Sequence, residues 1–387
     1  MIRFEDYLGL KTLLTDEEQE ILRTFLKFSE SIEKEIEDSA WNRKPADKLW
    51  DRMAGLGVFG AHIPEIYGGI ELPNVAYGLM MLGLEAGDSS LRSAASVQNA
   101  LVCYPILTFG SKSQKETWLP RLAAGAMIGA FGLTEPDHGS NPGGMVTRAE
   151  VCPGGFRLNG AKSWITNADI ADLNVIWAKL DGKVHGFLVE KGTPGLSANP
   201  MKRKDSLEAG HTGEIILRDV EIPESAILPD TKGLASPLSC LNEARYGIAW
   251  GVIGAAMSAY ATALDYTKER PQFNKPLASF QLVQAKLADM ISQITASLSL
   301  VLHLGRLRDL GEIRFPQVSM AKRMNCRMAR EVAMTARDLL GANGVSAEYP
   351  IMRIMKNIES VYTYEGTDHM HTLIIGHHVT GIPAYRS

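Results

Sequence analysis

Residues 246–264 read Tyr-Gly-Ile-Ala-Trp-Gly-Val-Ile-Gly-Ala-Ala-Met-Ser-Ala-Tyr-Ala-Thr-Ala-Leu, without a charge between Arg245 and Asp265. The run is long enough to cross a bilayer. Its content argues otherwise: Ala, Gly and Ser dominate, and the Leu and Phe that carry most of the transfer free energy are scarce. The stretch therefore predicts a core helix whose small side chains let neighbouring helices approach, and no membrane span. The chain around it is helical too, with segments expected over 236–270, 278–310 and 315–340 and two shorter pieces after Pro350. Such lengths suit a bundle of long antiparallel helices.

Upstream, the texture changes near Met127. Short alternating runs at 143–151, 155–164, 173–180, 184–189 and 213–222 are separated by turns such as Pro153-Gly154-Gly155 and Asp181-Gly182. This is an antiparallel sheet pattern. Before it, Thr15-Asp16-Glu17-Glu18 is a capping-box-like start with acid in the first turn. Ile21, Leu22, Phe25, Leu26, Phe28 and Ile32 follow at helical spacing. Further helix is expected over 46–56, 114–123, and from Asn74 to about Phe109. The reading is an α+β chain of three domains: an N-terminal helical domain (1–126), a middle antiparallel β domain (127–235) and a C-terminal four-helix bundle (236–387).

Over 387 residues, Lys and Arg number 40 and Asp and Glu 44, a net charge of -4 that argues against a broad nucleic-acid surface. At 45% hydrophobic residues there is ample apolar area to offset chain entropy, which excludes intrinsic disorder. Cys103, Cys152, Cys240 and Cys326 lie far apart with no metal-ligand spacing. Among His369, His371, His377 and His378, His371 and His378 share a helical face, but no acid or Cys completes a metal shell, so no metal is expected. Residues 1–10 lack an apolar core and carry Glu5 and Asp6, which predicts no leader peptide. A reducing compartment is expected, cytoplasmic in preference to a processed mitochondrial-matrix form.

Several short motifs carry chemistry. Gly55, Gly57 and Gly60 match a dinucleotide fingerprint, but a helix precedes them and an extended Ala61-His62-Ile63-Pro64 follows, the wrong context for a phosphate loop. Phe131-Gly132-Leu133-Thr134-Glu135 through Gly139-Ser140 joins a strand end to a Gly/Pro turn, where N–H groups and hydroxyls could bind a flat polar ring or phosphates. Trp164-Ile165-Thr166-Asn167 ends another strand with an aromatic face beside a hydroxyl. Arg92, in an otherwise apolar helical region, is either a surface cation or a buried one. If buried, it needs an anion, from Glu85 or from a substrate carboxylate. Arg270 could grip a pyrophosphate or simply face its own helix end. In Tyr362-Thr363-Tyr364-Glu365-Gly366-Thr367, Glu365 is either a capping acid or a general base whose flanking aromatics raise its pKa.

Taken together these segments resemble the acyl-CoA dehydrogenase family, flavoproteins that oxidise acyl thioesters at the α,β carbons. Ile63-Pro64-Glu65-Ile66-Tyr67-Gly68-Gly69, Arg270–Phe273 and Asp338-Leu339-Leu340-Gly341-Ala342-Asn343-Gly344 add to the motifs above, so the resemblance covers essentially the whole chain. Arg92-Ser93-Ala94, Ser96-Val97-Gln98 and residues 240–251 are most similar to the branch that oxidises glutaryl-CoA. The resemblance implies Glu365 as the base. It implies Arg92, Ser93, Glu85, Ser140, Arg245 and Tyr364 as substrate contacts. FAD would be lined by Phe131, Leu133, Thr134, Ser140, Trp164 and Thr166, with Thr367 near its phosphates. Arg270, Phe273, Gln281, Asp338, Leu339, Gly341 and Ala342 would reach the FAD of a neighbouring subunit in a homotetramer.

The implied reaction oxidises glutaryl-CoA and decarboxylates it to crotonyl-CoA, with electrons leaving to an electron-transferring flavoprotein. The alternative is a non-decarboxylating dehydrogenase or oxidase of another dicarboxylic acyl thioester, on coenzyme A or on a carrier protein. Asn141, Asn274, Glu208 and the order Asp368-His369 depart from the family pattern.

Overall fold

The computed structural model describes residues 6–384. Met1–Glu5 lie outside it, so the leader expectation rests partly on undescribed residues. The N-terminal helices are α1 (Asp16–Ser31), α2 (Glu33–Asn42), α3 (Lys48–Gly55), α4 (Asn74–Gly87), α5 (Ser89–Ser96), α6 (Tyr104–Phe109) and α7 (Lys112–Ala123). The expected capping box opens α1: the Thr15 side chain accepts from the Glu18 N–H, and Glu18 Oε2 accepts from the Thr15 N–H. The helical stretch expected from Asn74 to about Phe109 is divided among several helices. Asp88 is fully extended (φ -163°, ψ 142°), and its carboxylate caps α5 by accepting from the Ser90 N–H. A π-helical turn, Val97–Cys103, then joins α5 to α6.

The sheet contains β1 (Gly129–Gly132), β2 (Arg148–Cys152), β3 (Gly155–Thr166), β4 (Leu173–Leu180), β5 (Lys183–Glu190), β6 (Leu196–Pro200) and β7 (Thr212–Pro223). Pairings β2–β3, β3–β7, β6–β7 and β4–β5 are antiparallel, whereas β1 runs parallel to β4 over four residue pairs and β2 meets β4 parallel at one. The strand expected from 143 begins only at Arg148, because Pro142–Gly144 forms a tight turn. The short β6, Leu-Ser-Ala-Asn-Pro, lies outside the expected runs.

The C-terminal helices are α8 (Ala235–Glu269), α9 (Gln281–Asp309), α10 (Phe315–Leu339), α11 (Ile351–Thr363) and α12 (Asp368–Thr380), with a small hairpin between α8 and α9. The apolar window of α8 is 89% buried, so protein covers the run that mimics a membrane span. One apolar core passes from α1 through α4 into α8, α9 and α10, welding the two helical regions together. A second core joins the α5–α7 region to one face of the sheet, and a third fills the sheet's other face.

Within that weld α8 lies tightly on α4. A Cβ at Gly254 would lie 2.0 Å from the Leu82 carbonyl oxygen, and one at Gly78 would lie 2.3 Å from the Trp250 ring. Gly254→Ala is therefore expected to lower stability by about 2 kcal/mol or more in urea unfolding, since overpacking against backbone outweighs the ~1 kcal/mol that Ala adds to helix propensity. An unchanged or raised midpoint would show that α8 and α4 are not held this close.

Candidate active site

The turn between α11 and α12 carries Glu365. Tyr364 leaves the helix extended, Glu365 is left-handed (φ 51°), and Gly366 follows at φ 100°. A non-glycine residue at positive φ is uncommon. Here, Arg245 Nε donates to the Glu365 carbonyl at 2.7 Å. A side chain at Gly366 would press on Arg245 and on the buried His371 ring, each 3.1 Å from its Cβ position. Thr367 ends the turn by capping α12, accepting from the Met370 N–H. The Glu365 Oε2 atom is buried with no partner. Burial raises its pKa, against the opposing pull of Arg92, Lys322 and Arg245. That is the condition of a general base waiting for a substrate proton.

Arg92 is the buried alternative of the two left open by the sequence. It is 0% exposed, and its Nε donates to Glu85 Oε2 at 2.7 Å. Its Nη2 donates to the Tyr364 hydroxyl, beside the base, while Nη1 is buried and unpartnered. Burial disfavours the charge, but Glu85 and the neighbouring turn keep the guanidinium protonated; burial raises the Glu85 pKa despite Arg92. Ser93, next along α5, is buried too.

Asp88 aligns this helix with the base turn. Its Oδ2 accepts from Arg353 at 2.5 Å and from Asn357 at 2.9 Å, both on α11, while its Oδ1 caps α5. The sequence reading missed Asp88, although Asp-Ser-Ser after an apolar helix is an N-cap signature.

On the sheet, Phe131 and Leu133 are buried, Thr134 and Thr166 are half-buried, and Trp164 is 63% exposed at φ 61°. Together they form an open shelf with an aromatic face and hydroxyls along its edge, and Ser140 lies exposed beyond it. An exposed indole fixed in a strained conformation suits stacking on a planar ring, so these residues fit the isoalloxazine of FAD.

A buried pair stiffens the shelf. Lys162 Nζ donates to the Leu133 carbonyl at 3.1 Å and to Glu135 Oε1 at 2.9 Å, and Glu135 accepts from the N–H groups of Val146 and Thr147. Burial would raise Glu135, yet hydrogen bonds and Lys162 hold it down to about 2; burial brings Lys162 down to about 8.

The remaining predicted contacts lie elsewhere. Arg245 is about 36 Å of helix from Glu269, the end of α8 that carries Arg270. At that far end Asn343 donates to the Tyr266 hydroxyl and Lys286 pairs with Asp338, which gathers Arg270, Phe273, Gln281, Asp338, Leu339, Gly341 and Ala342 near one another. All but Leu339 are exposed. Within one chain this cluster does not meet Glu365. Two of the departures find local partners: Glu208 pairs with Lys356, and Asp368 with Arg327 and Arg323.

Family models match in the same order: the acyl-CoA dehydrogenase N-terminal domain over residues 15–126, the middle domain over 130–220 and the C-terminal domain over 231–380. The chain belongs to the acyl-CoA dehydrogenase family. It is 34% identical over 375 residues to an acyl-CoA dehydrogenase of Bacillus subtilis (strain 168), covering 94% of this chain and 98% of that one. It is similar to the crystal structure of glutaryl-CoA dehydrogenase from Mycobacterium smegmatis at 48% identity and TM-score 0.96, over 99% of each chain. A second such structure from that organism, in complex with FADH2, matches at 44% identity and TM-score 0.96, over 98% of this chain and 99% of that one. As an acyl-CoA dehydrogenase, this chain is a flavin-dependent oxidoreductase of acyl-CoA thioesters, and FAD is its cofactor.

Lys162→Met would leave Glu135 buried with two backbone N–H donors but no counter-charge. It is expected to cost about 3–5 kcal/mol of stability and to weaken FAD retention, read by thermal melting and by flavin release on dilution. Full FAD retention and an unshifted melt would remove Lys162 from the shelf's support.

Proposed function

We propose that this acyl-CoA dehydrogenase acts on glutaryl-CoA, oxidising its α,β carbons and releasing carbon dioxide to give crotonyl-CoA. The observation that carries this reading is the unpartnered Nη1 of Arg92, a fully buried guanidinium beside the base. A monoacyl chain has nothing to offer that atom. A γ-carboxylate satisfies it with a charge-assisted hydrogen bond and is itself spared an unpaired burial. The likeness to the glutaryl-CoA dehydrogenases of Mycobacterium smegmatis supports the same substrate class.

The chain's residues then divide the work. Arg92 orients the distal carboxylate, and Glu365 takes the α-proton on its carboxylate. The positive-φ turn leaves the Glu365 N–H free to donate to the thioester oxygen, stabilising the charge that develops there. FAD, when bound, supplies the acceptor for the β-hydride. The oxidised acyl chain carries a carboxylate vinylogous to the thioester, so loss of carbon dioxide leaves a dienolate. The protonated Glu365 carboxyl returns its proton to the γ-carbon, giving crotonyl-CoA and restoring the base.

A homotetramer suits the 36 Å separation along α8, because a second copy can bring its Arg270 end to this chain's flavin shelf. An electron-transferring flavoprotein is the proposed acceptor.

Anaerobic turnover of glutaryl-CoA with an artificial acceptor tests the reading by product mass. Crotonyl-CoA is expected; glutaconyl-CoA would retain the substrate and sink the decarboxylation. The double variant Arg92→Met/Glu85→Gln, which leaves no buried charge unpaired, is expected to lower kcat/KM for glutaryl-CoA by about a thousandfold. Turnover of butyryl-CoA should fall far less. An equal effect on both substrates would exclude Arg92 as the carboxylate receptor.

A further inference from the structure

We propose that Lys322 is the positioning residue for the base, holding with Arg245 the backbone of the 364–366 turn in the shape that aims Glu365 at its substrate. The inference rests on the reading of Glu365 as the base. Lys322 lies within α10 and is 1% exposed. A buried ammonium is costly unless its charge and donors are taken up, and among the described residues no carboxylate is hydrogen-bonded to this one. Its Nζ donates instead to the Tyr364 carbonyl at 2.6 Å and to the Gly366 carbonyl at 2.7 Å. The carbonyl between them, of Glu365, accepts from Arg245 Nε. Three consecutive carbonyls are thus captured by two buried cations from two different helices. Lys322 grips the residues on either side of the base, and Arg245 grips the base's own peptide. This offsets the unfavourable φ of Glu365 and leaves its side chain and N–H uncommitted.

A neutral amide could satisfy the same carbonyls. The use of a cation adds a field at the carboxylate. The groups facing Glu365 are Arg92 from α5, Arg245 from α8, Lys322 from α10, the Tyr77 hydroxyl from α4 and the Tyr364 hydroxyl from its own turn. His371 of α12 faces Lys322 and Arg245; burial lowers it to about 2, so it adds no charge near neutrality. Lys322 itself is pushed down to about 8 by burial, against the pull of Cys326 and Glu365. Removing its charge leaves burial less opposed at Glu365, so the base titrates higher and the acidic limb of the rate profile moves up in pH.

The test uses the FAD-loaded enzyme and a thioester with sulfur in place of the β-carbon, which can lose its α-hydrogen but cannot be oxidised. Exchange of that hydrogen in D2O, followed by NMR, reads the base alone. Lys322→Met is expected to slow exchange about a hundredfold, the scale of a small misplacement, with substrate KM changed less than threefold. Its acidic limb should move up by about one pH unit. Lys322→Gln, which keeps a donor, should recover most of the rate but not the limb, and Lys322→Arg should recover both in large part. The glutaryl-to-butyryl preference should stay as in the parent enzyme.

Folded Lys322→Met with parental exchange and an unmoved limb would overturn the proposal. So would a loss of rate and melting temperature shared equally by the Met, Gln and Arg variants. Should Met fail to fold, the Gln and Arg pair carries the comparison. Glu365→Gln is the control: if it exchanges like the parent, the assignment of the base fails, whereas if it is inert and Lys322→Met is not, only the role of Lys322 fails.

Discussion

Position 251 of α8 has no side chain, and the buried charges of the active site lie where one would be. A Cβ there would come within 2.3 Å of Glu85 Oε2 and 2.8 Å of Arg92 Cγ. The small residues that bring α8 onto α4 therefore do two things. They let two long helices share one core, and they leave a slot in that core wide enough for an ion pair. The pair needs the slot, because an exposed Arg–Glu contact is worth little and would not present a desolvated cation to a ligand.

The rest of the site is arranged around that pair by polar groups at helix ends. Asp88 ends α4, starts α5 and binds α11, so the helix that bears Arg92 and the one that leads to Glu365 are fixed by one carboxylate. From the other side the 202–210 loop of the β domain closes on α11: the Leu207 N–H donates to Asn357, and Ser206 bonds Ser360. Lys356 pairs with Glu208, so the acidic residue that departs from the family pattern there is balanced locally. Apolar packing sets the distances between helices. The directional bonds set which turn faces which.

The helices and most strands were legible in the sequence because periodicity and turn residues encode them locally. The 173–180 strand and the bundle helices fall within a few residues of their expected limits. The break at Asp88 was not, since an apolar run on both sides hides a single extended residue. The parallel pairing of β1 with β4 was not, because pairing direction is a tertiary property. Among site residues, Glu365, Arg92, Glu85 and Tyr364 lie together in the fold. Lys322 gave no sign: Ala-Lys-Arg on an amphipathic helix reads as a solvated charge, and only the fold turns it inward. Lys162, too, reads as an ordinary strand lysine.

Those inward lysines bear on a problem posed by composition. A chain with net charge -4 must take in an anionic thioester, and it does so by placing charge locally. Facing the base the buried cations are Arg92, Arg245 and Lys322 and the carboxylates are Glu85 and Glu365, while the buried Asp368 beside the turn is paired separately with Arg323 and Arg327. Three positive groups face two negative ones in a region of low dielectric, where an uncompensated charge is expensive. One more carboxylate balances the set, and the free Nη1 of Arg92 is where it would dock. On this reasoning a neutral acyl chain leaves the pocket electrostatically unfinished. When Glu365 takes up the α-proton, the count shifts by one again toward positive. That excess stabilises the anion being formed on the substrate, so the same imbalance that selects the ligand also favours the reaction's charged intermediate.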